Sequence, residues 1–236
     1  MRYKALALDY DGTLATHGKV DDATIAALSR ARAAGLLLLM VTGREIDDLH
    51  ATFEHVQMFD RIVAENGALL YRPADKQATP LAHPPPPAFI EALKAKGVGP
   101  ISVGAVIVAT WEPYESIVLQ TIRELGLELE VIFNKGAVMV LPSGINKGTG
   151  LKAALKELGL WPSGVVGAGD AENDHSLLNI SGVFAAVANA IPSLKERADL
   201  VTQGDHGAGV IELIDRLLAG DLDNIVLKRT PEGPVG

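Results

Sequence analysis

The sequence predicts an α/β fold in which a Rossmann-like parallel sheet is interrupted by a smaller α+β domain. Short apolar runs rich in Val, Leu and Ala recur along the chain, and most are followed by a segment of helical periodicity. Such runs are typical of strands buried on both faces of a parallel sheet. A proline run at 84–87 breaks this rhythm and is typical of a stiff extended connector.

The elements of the parallel sheet follow from these runs. A helix over 21–34 places Ile25 and Leu28 at helical spacing and ends at Gly35, a residue that commonly stops helices. Helices are also expected at 148–158 and 208–218. The predicted strands lie at 5–8, 36–41, 62–64, 165–168 and 184–187.

The middle of the chain has a different pattern of elements. After the prolines it predicts a helix at 88–96, a strand at 102–110, a helix at 113–125 and strands at 129–133 and 138–141. The last two strands are separated by Asn134-Lys135-Gly136, which is typical of a hairpin turn. The domain boundaries follow: a sheet domain at 1–74 and 144–220, an insert at 75–143 and a C-terminal extension at 221–236.

Composition narrows the function classes. The chain has 236 residues, of which 48% are hydrophobic and 21% charged, as in average folded proteins. The formal net charge is -8 and no long run of Lys and Arg occurs, which argues against nucleic-acid binding. The absence of cysteine excludes disulfides, Cys-ligated zinc and thiol nucleophiles. No apolar run approaches the ~20 residues of a membrane span, so we expect a cytoplasmic protein without a membrane partner. The residues do not indicate an oligomeric state.

Chemically active residue types follow the predicted strands. Ligands of open α/β sheets bind at the carboxyl ends of the strands. The first strand is followed by two carboxylates, the second by Thr-Gly-Arg and a later one by two further carboxylates, with a lysine opening the helix before it: Asp9, Asp11, Thr42, Gly43, Arg44, Lys147, Asp170 and Asp174.

Four carboxylates at one sheet edge repel one another unless a cation neutralises them. With oxygen ligands and no cysteine, Mg2+ is the cation that fits best. Asp9 can then attack phosphorus while Asp11, a carboxylic acid two residues further on, handles protons. Thr42, through its hydroxyl and backbone N–H, and Lys147, as a point charge, are suitable clamps for phosphoryl oxygens.

These motifs, in this order, resemble those of the haloacid dehalogenase superfamily. They are Asp9-x-Asp11-Gly12-Thr13, then Thr42-Gly43-Arg44, then Lys147, then Gly169-Asp170-x-x-Asn173-Asp174. The resemblance covers nearly all of residues 1–220. It includes Glu65-Asn66-Gly67-Ala68, which is similar to a segment of the subgroup with a cap inserted between the second and third motifs.

The resemblance implies a role for each motif residue. Asp9 would be the nucleophile that forms an aspartyl-phosphate, and Asp11 the general acid and base. Thr42 and Lys147 would hold the phosphoryl group. The Asp9 carboxylate, the Asp11 main-chain carbonyl and Asp170 would bind Mg2+, supported by Asp174. The insert resembles a small type IIB cap. It is short for that subgroup, and no specificity loop aligns in it.

Candidate substrate-binding residues are Gly12, Gly43, Arg44, Asn173 and Asn189. For Arg44 the alternative is a structural ion pair. Asn189 follows the strand at 184–187 and either lines the site or lies outside it. Within the insert, substrate contact and packing are both open for a further group: Trp111, Tyr114, Asn134 and Lys135.

The resulting functional hypothesis is a Mg2+-dependent phosphomonoester hydrolase for a small phosphorylated metabolite, such as a sugar phosphate or phosphoglycolate. One alternative is a phosphotransferase that uses the same intermediate. Another is a receiver-like phospho-sensor without turnover, which would need neither the insert nor Asp11 as a proton carrier.

Overall fold

Two β-sheets organise residues 2–228, the part of the chain that the computed structural model describes. The larger sheet has eight strands in the order β12-β11-β10-β1-β2-β3-β4-β5, and the smaller has four in the order β6-β7-β9-β8. In the larger sheet the strands from β12 to β3 are parallel, while β4 and β5 are added antiparallel at one edge. The strands of this sheet are Ala5–Leu8 (β1), Leu37–Val41 (β2), Arg61–Ala64 (β3), Leu69–Arg72 (β4), Gln77–Pro80 (β5), Val165–Gly169 (β10), Val183–Ala186 (β11) and Leu200–Val201 (β12).

Helices cover the larger sheet and bury its apolar strands. Every residue of β1, β10 and β11 is buried, as the continuous apolar runs predict for a parallel sheet. The predicted α/β fold with a mainly parallel sheet is therefore confirmed. The helices of this domain are Asp22–Ala33 (α1), Ile46–Thr52 (α2), Lys147–Leu158 (α5), Asp174–Ile180 (α6), Pro192–Arg197 (α7) and His206–Gly220 (α8).

The edge strand β5 extends the larger sheet into residues that the sequence assigned to the insert, whose boundary was placed at residue 75. All four residues of β5 are exposed, and they pair with β4 through hydrogen bonds of the backbone. An exposed edge strand has no apolar pattern, so the sequence did not predict a strand there.

The insert folds as an antiparallel sheet with two helices on one face. Its strands are Ser102–Val103 (β6), Val108–Trp111 (β7), Leu129–Asn134 (β8) and Ala137–Pro142 (β9), and its helices are Pro87–Ala95 (α3) and Glu115–Glu124 (α4). The expected single strand at 102–110 was wrong. Gly104 donates its N–H to Ile107 O at 2.9 Å, so the chain turns back there and forms two paired strands.

The predicted hairpin between β8 and β9 is confirmed. Asn134 pairs with Ala137, which leaves Lys135 and Gly136 as the two residues of the turn. Their φ angles are 49° and 85°, the left-handed values that a two-residue primed turn requires.

The two faces of strand β9 join the insert to its helices and to the larger domain. Val138 and Val140 pack with Phe89 and Val118 in a cluster internal to the insert. Alternate side chains point the other way, and Met139 packs in a second small cluster that includes Ala68 of the larger domain and three more apolar residues: Val106, Ile107 and Leu141. The insert therefore has its own core and rests on the larger domain through a small apolar contact.

The first part of the predicted C-terminal extension packs on the larger domain. Leu222 is only 6% exposed, and Ile225 and Leu227 pack partly against the main core. Residues 229–236 lie outside the described residues. No helix within 2–228 is long and apolar enough to cross a membrane.

The close contact between helix α5 and the segment after β3 yields a stability prediction. A Cβ at Gly150 would lie 2.4 Å from Val63 Cγ1 and 2.6 Å from Gly67 Cα. We expect Gly150→Ala to destabilise the fold by about 1–3 kcal/mol through overpacking. Chemical denaturation measures this change.

The control is Gly220→Ala, because nothing lies within 4 Å of the Cβ that it adds at the end of helix α8. This variant should keep or slightly exceed the wild-type stability. Equal stability of the two variants would refute the overpacking argument.

Candidate active site

Asp9 lies at the carboxyl end of β1, in the middle of the parallel sheet. Its backbone N–H donates to Ala168 O at 3.0 Å, so the strand pairing continues up to this residue. The side chain is buried. The sheet therefore holds the Asp9 carboxylate at the edge where ligands of such sheets bind.

Lys147 opens helix α5 and reaches two buried carboxylates. Its Nζ donates to Asp9 Oδ1 and to Asp174 Oδ1, both at 2.6 Å. The start of the helix is stabilised by a capping box, in which Asn146 accepts from the N–H of Thr149 and Thr149 accepts from that of Asn146. The side chain of Lys147 is only 1% exposed. Burial alone would lower the pKa of Lys147, but the two carboxylates raise it above its ordinary value.

The loop after β10 supplies the other two carboxylates. Asp174 begins helix α6, and its Oδ2 accepts from the backbone N–H of Asp170 at 2.8 Å and of Ala171 at 2.9 Å. Thr13 donates its hydroxyl to Asp170 Oδ1 at 3.1 Å. The loop is therefore held on both sides, and both of its carboxylates are buried.

Three carboxylates meet at this edge of the sheet. Oxygens of Asp9, Asp170 and Asp174 all lie within 4.8 Å of one another. Burial and the negative charge of Asp174 raise the pKa of Asp9 well above its ordinary value, against the opposite effect of Lys147. A divalent cation would favour the ionised form, and the all-oxygen donor set suits Mg2+.

Lys135, at the turn of the insert, points into the same group of oxygens. Its Nζ donates to Asp170 Oδ2 at 2.7 Å and to the main-chain oxygen of Asp11 at 2.9 Å. Gly12 makes room for this contact, because a Cβ there would lie 2.4 Å from both Asp170 Oδ2 and Lys135 Nζ. A cation thus contacts two of the groups that the family resemblance assigned to a metal, which supports the fit of that site to a positive ion.

Asp11 is held by Arg44 rather than by the buried carboxylates. Arg44 donates from Nε to Asp11 Oδ2 at 2.7 Å and from Nη2 to Asp11 Oδ1 at 2.8 Å. It also pairs with Asp48 and lies over the ring of Tyr10. The hydrogen bonds with Asp11 raise the pKa of Arg44. The structural ion pair that the sequence left open for Arg44 is therefore present, at the rim of the site.

Thr42 directly follows strand β2, and its side chain is buried. Its hydroxyl oxygen accepts from Arg44 N at 3.1 Å and keeps its proton for another acceptor. Its backbone N–H donates to Val63 O at 2.8 Å. Because the sheet occupies this N–H, the hydroxyl is the group of Thr42 that we expect to contact a phosphoryl group.

A cavity of about 720 Å³ separates the larger domain from the insert. Its floor includes Asp9 and Asp11, and Gly43 and Arg44 line one side. The insert supplies the roof with polar and apolar side chains, among them Trp111, Asn134, Lys135 and Met139. Tyr114, also a candidate in the insert, packs against the core of the insert instead.

Two predicted substrate-binding residues support loops of the site. Asn173 is buried and donates from Nδ2 to Asn66 Oδ1 at 2.9 Å. Asn189 donates to Gly12 O at 2.8 Å and accepts from His206 N at 2.8 Å. Asn173 thus links its loop to the segment after β3, and Asn189 holds the backbone at Gly12 and His206. A direct role of either residue with substrate stays a prediction.

Glu65 is a functional candidate that the sequence analysis did not single out. Its buried carboxylate accepts three backbone N–H groups of the insert, those of Ala105, Val106 and Ile107, at 2.7–2.8 Å. Its own N–H donates to Arg44 O at 3.0 Å. Glu65 thus connects the insert to the loop that carries Arg44. The only signal in the sequence was its place in the segment after β3.

A family model describing haloacid dehalogenase-like hydrolases matches residues 6–104 and 131–214, which include the four carboxylates, Lys147 and Lys135. The chain belongs to the haloacid dehalogenase-like hydrolases. The resemblance inferred from the ordered motifs is therefore confirmed, and with it the assignment as an enzyme.

Two relatives are phosphoglycolate phosphatases. That of Natronomonas pharaonis is 30% identical over 223 residues, covering 89% of this chain and 96% of the relative. Phosphoglycolate phosphatase 2 of Saccharolobus solfataricus is 42% identical over 88 residues, a match that spans 37% of this chain and 37% of the relative.

A solved structure of a haloacid dehalogenase subclass IIB sugar phosphatase has a TM-score of 0.73 to this chain at 21% identity, covering 91% of this chain and 98% of that one. At this identity the likeness concerns the fold. It confirms the parallel sheet with an inserted domain of the type IIB cap.

The contact of Glu65 with the insert yields a second prediction. Glu65→Ala removes the acceptor of three backbone donors, two of which are buried, and we expect a loss of about 1–3 kcal/mol in stability. Hydrogen exchange should show lower protection at the amides of Ala105, Val106 and Ile107.

The matched control is Glu45→Ala, since Glu45 accepts from the hydroxyl of Ser102 in the insert but at an exposed position. In Glu45→Ala the amides of residues 105–107 should keep wild-type protection from hydrogen exchange. If Glu65→Ala also kept wild-type protection there, Glu65 would not be the residue that holds this turn.

Proposed function

We propose that this hydrolase is a Mg2+-dependent phosphomonoester phosphatase for a small phosphorylated metabolite, and that Asp9 is its nucleophile. Membership of the family and the phosphatase relatives support the reaction class. The observation that carries the proposal is the placement of the buried Asp9 carboxylate between Lys147, two further carboxylates and the floor of the cavity.

In the proposed reaction an oxygen of Asp9 attacks phosphorus, and the bond to the leaving oxygen breaks as an aspartyl-phosphate forms. Lys147 holds Asp9 through Oδ1 and provides positive charge for the phosphoryl oxygens. Thr42 offers its hydroxyl proton to the same group. Asp11 protonates the leaving oxygen and then removes a proton from the water that attacks phosphorus, which releases phosphate and restores Asp9.

Asp11 has to leave its ion pair to carry these protons. Both of its carboxylate oxygens accept from Arg44 in the structure. We infer that this pair opens during turnover, or that one of its two hydrogen bonds is exchanged for one to substrate.

The residues that would hold Mg2+ are Asp9 and Asp170 through their carboxylates and Asp11 through its main-chain oxygen, with Asp174 in support. The ion would supply positive charge that offsets the repulsion between the carboxylates and the phosphoryl group. Asp174 receives two backbone N–H bonds and the Lys147 ammonium, which suits it to orient the site rather than to move.

Phosphoglycolate and sugar phosphates are the substrate classes that we propose to test first. Relatives that span most of the chain are phosphoglycolate phosphatases, whereas the fold is shared with a sugar phosphatase. A cavity of about 720 Å³ suits a small metabolite. A cytoplasmic location and the lack of a nucleic-acid partner stay predictions of the sequence.

The phosphotransferase and receiver-like alternatives each have a distinguishing feature. A transferase would pass the phosphoryl group to added alcohols or sugars, which product assays detect. A receiver-like sensor would keep the aspartyl-phosphate without turnover. Two features favour an enzyme with turnover over a sensor. The insert covers the cavity, and a second carboxylate, Asp11, lines it.

The decisive measurement is hydrolysis of p-nitrophenyl phosphate with Mg2+ and with EDTA. We expect Asp9→Asn to lower kcat by about 10^4-fold or more, because the nucleophile is lost. Asp11→Asn should lower it by about 10^2–10^4-fold through loss of proton transfer. EDTA should abolish activity, and added Mg2+ should restore it.

Asp22→Asn is the matched control, since Asp22 is an exposed residue in the first turn of helix α1. It should retain wild-type kcat. Undiminished activity of Asp9→Asn, with circular dichroism showing all variants folded, would exclude Asp9 as the nucleophile. Activity unaffected by EDTA would exclude the metal.

A further inference from the structure

Lys135 brings a positive charge from the insert to the edge of the larger sheet. It lies at the tip of the β8–β9 hairpin, where a two-residue turn projects toward the site. Its Nζ is 2.9 Å from the Asp11 main-chain oxygen and 2.7 Å from Asp170 Oδ2. The Lys135 side chain is 48% exposed, while that of Asp170 is only 3% exposed.

The Asp11 main-chain oxygen and the Asp170 carboxylate are also two of the three groups that the proposed function assigns to Mg2+. The ion binds oxygens at about 2.0–2.1 Å and prefers octahedral geometry. An ammonium group that donates hydrogen bonds to the same two oxygens fills the space the ion would need, and the two positive charges repel each other. The present position of Lys135 and a bound Mg2+ therefore exclude one another.

The cavity would allow Lys135 to contact an anionic substrate. Among the described residues that line it, the charged ones of the larger domain are Asp9, Asp11, Asp48 and Arg44. Arg44 is already paired with both Asp11 and Asp48. Lys135 is the basic side chain that the insert contributes to this lining. Its flexible stem allows the ammonium to turn from the metal oxygens toward an anion in the cavity.

We propose that Lys135 is a substrate-binding residue that competes with Mg2+ for Asp11 O and Asp170 and that contacts the anionic substrate from the insert when the ion occupies those groups. The proposal rests on the proposed function, because it uses the same metal oxygens. It deepens that function by coupling metal binding to the position of the hairpin. Lys135 thus takes no part in the chemical step.

The test compares Mg2+ affinity, measured by isothermal titration calorimetry without substrate, in wild type and in Lys135→Met, which keeps the stem but removes the charge. We expect Lys135→Met to bind Mg2+ about 10-fold more tightly, because the competing charge-assisted hydrogen bonds are gone. Lys135→Arg keeps the charge and should bind more weakly than Lys135→Met. Lys94→Met, which removes an exposed lysine of helix α3, should match wild type.

The second readout is steady-state kinetics of phosphoglycolate hydrolysis at saturating Mg2+. Loss of the substrate contact should raise KM about 10-fold in Lys135→Met and leave kcat within about twofold of wild type. A lower kcat with unchanged KM would overturn the assignment of Lys135 as a substrate-binding residue.

The outcomes separate this inference from the function on which it rests. Equal Mg2+ affinity in wild type and Lys135→Met overturns the competition while leaving the metal site in place. Absence of Mg2+ binding in both overturns the metal site and the inference together. Circular dichroism of each variant establishes that the comparison is between folded proteins.

Discussion

The constraint on which the site depends is the concentration of negative charge at the carboxyl ends of β1 and β10. Oxygens of three buried aspartates lie within 4.8 Å of one another, so the fold must bring positive charge to them. Lys147 does this from inside, bridging Asp9 and Asp174 at 2.6 Å each. Helix α5 can place this lysine only because Gly150 allows it to pack closely on the segment after β3. The charge balance of the site therefore depends on close packing in the core at Gly150.

Charged contacts of both signs join the insert to the larger domain near the site. Glu65 of the larger domain accepts backbone N–H groups from the turn between β6 and β7, and Lys135 of the insert donates to Asp11 and Asp170. The apolar contact around Met139 is small by comparison. An interface of this kind gains much of its strength from hydrogen bonds to charged groups, each worth about 1.5–3 kcal/mol when well formed. It can therefore be opened by a competing ion or anion, which a large hydrophobic interface would resist.

The sequence predicted the parts of the molecule that depend on local pattern. Buried strands such as β1 and β10 are continuous apolar runs, and Asp9 and Asp170 follow them directly, so strand and site were predicted together. The exposed edge strand β5 and the turn after Ser102 were missed, because backbone pairing and the carboxylate of Glu65 determine them. For the turn the determining partner is distant in sequence, since Glu65 and Val106 are 41 residues apart. Lys135 was named only as an open candidate, since a lysine in a hairpin turn is usually solvated.

The contacts of Asp11 and Asp170 suggest how substrate, metal and insert depend on one another. In the structure the chain's own cations contact these groups: Arg44 holds the Asp11 carboxylate, and Lys135 holds the Asp11 carbonyl and Asp170. A phosphate group that enters the cavity adds negative charge to an edge already rich in it, which is unfavourable unless positive charge enters too. A divalent ion held by Asp170 and the Asp11 carbonyl in place of Lys135 would supply that difference, and under our proposal the Lys135 ammonium would then contact the substrate. Replacement of Lys135 by the ion would free its ammonium for the substrate, and contact with the substrate would in turn leave the metal oxygens free. Binding of the metal and of the substrate should therefore be coupled through the hairpin of the insert.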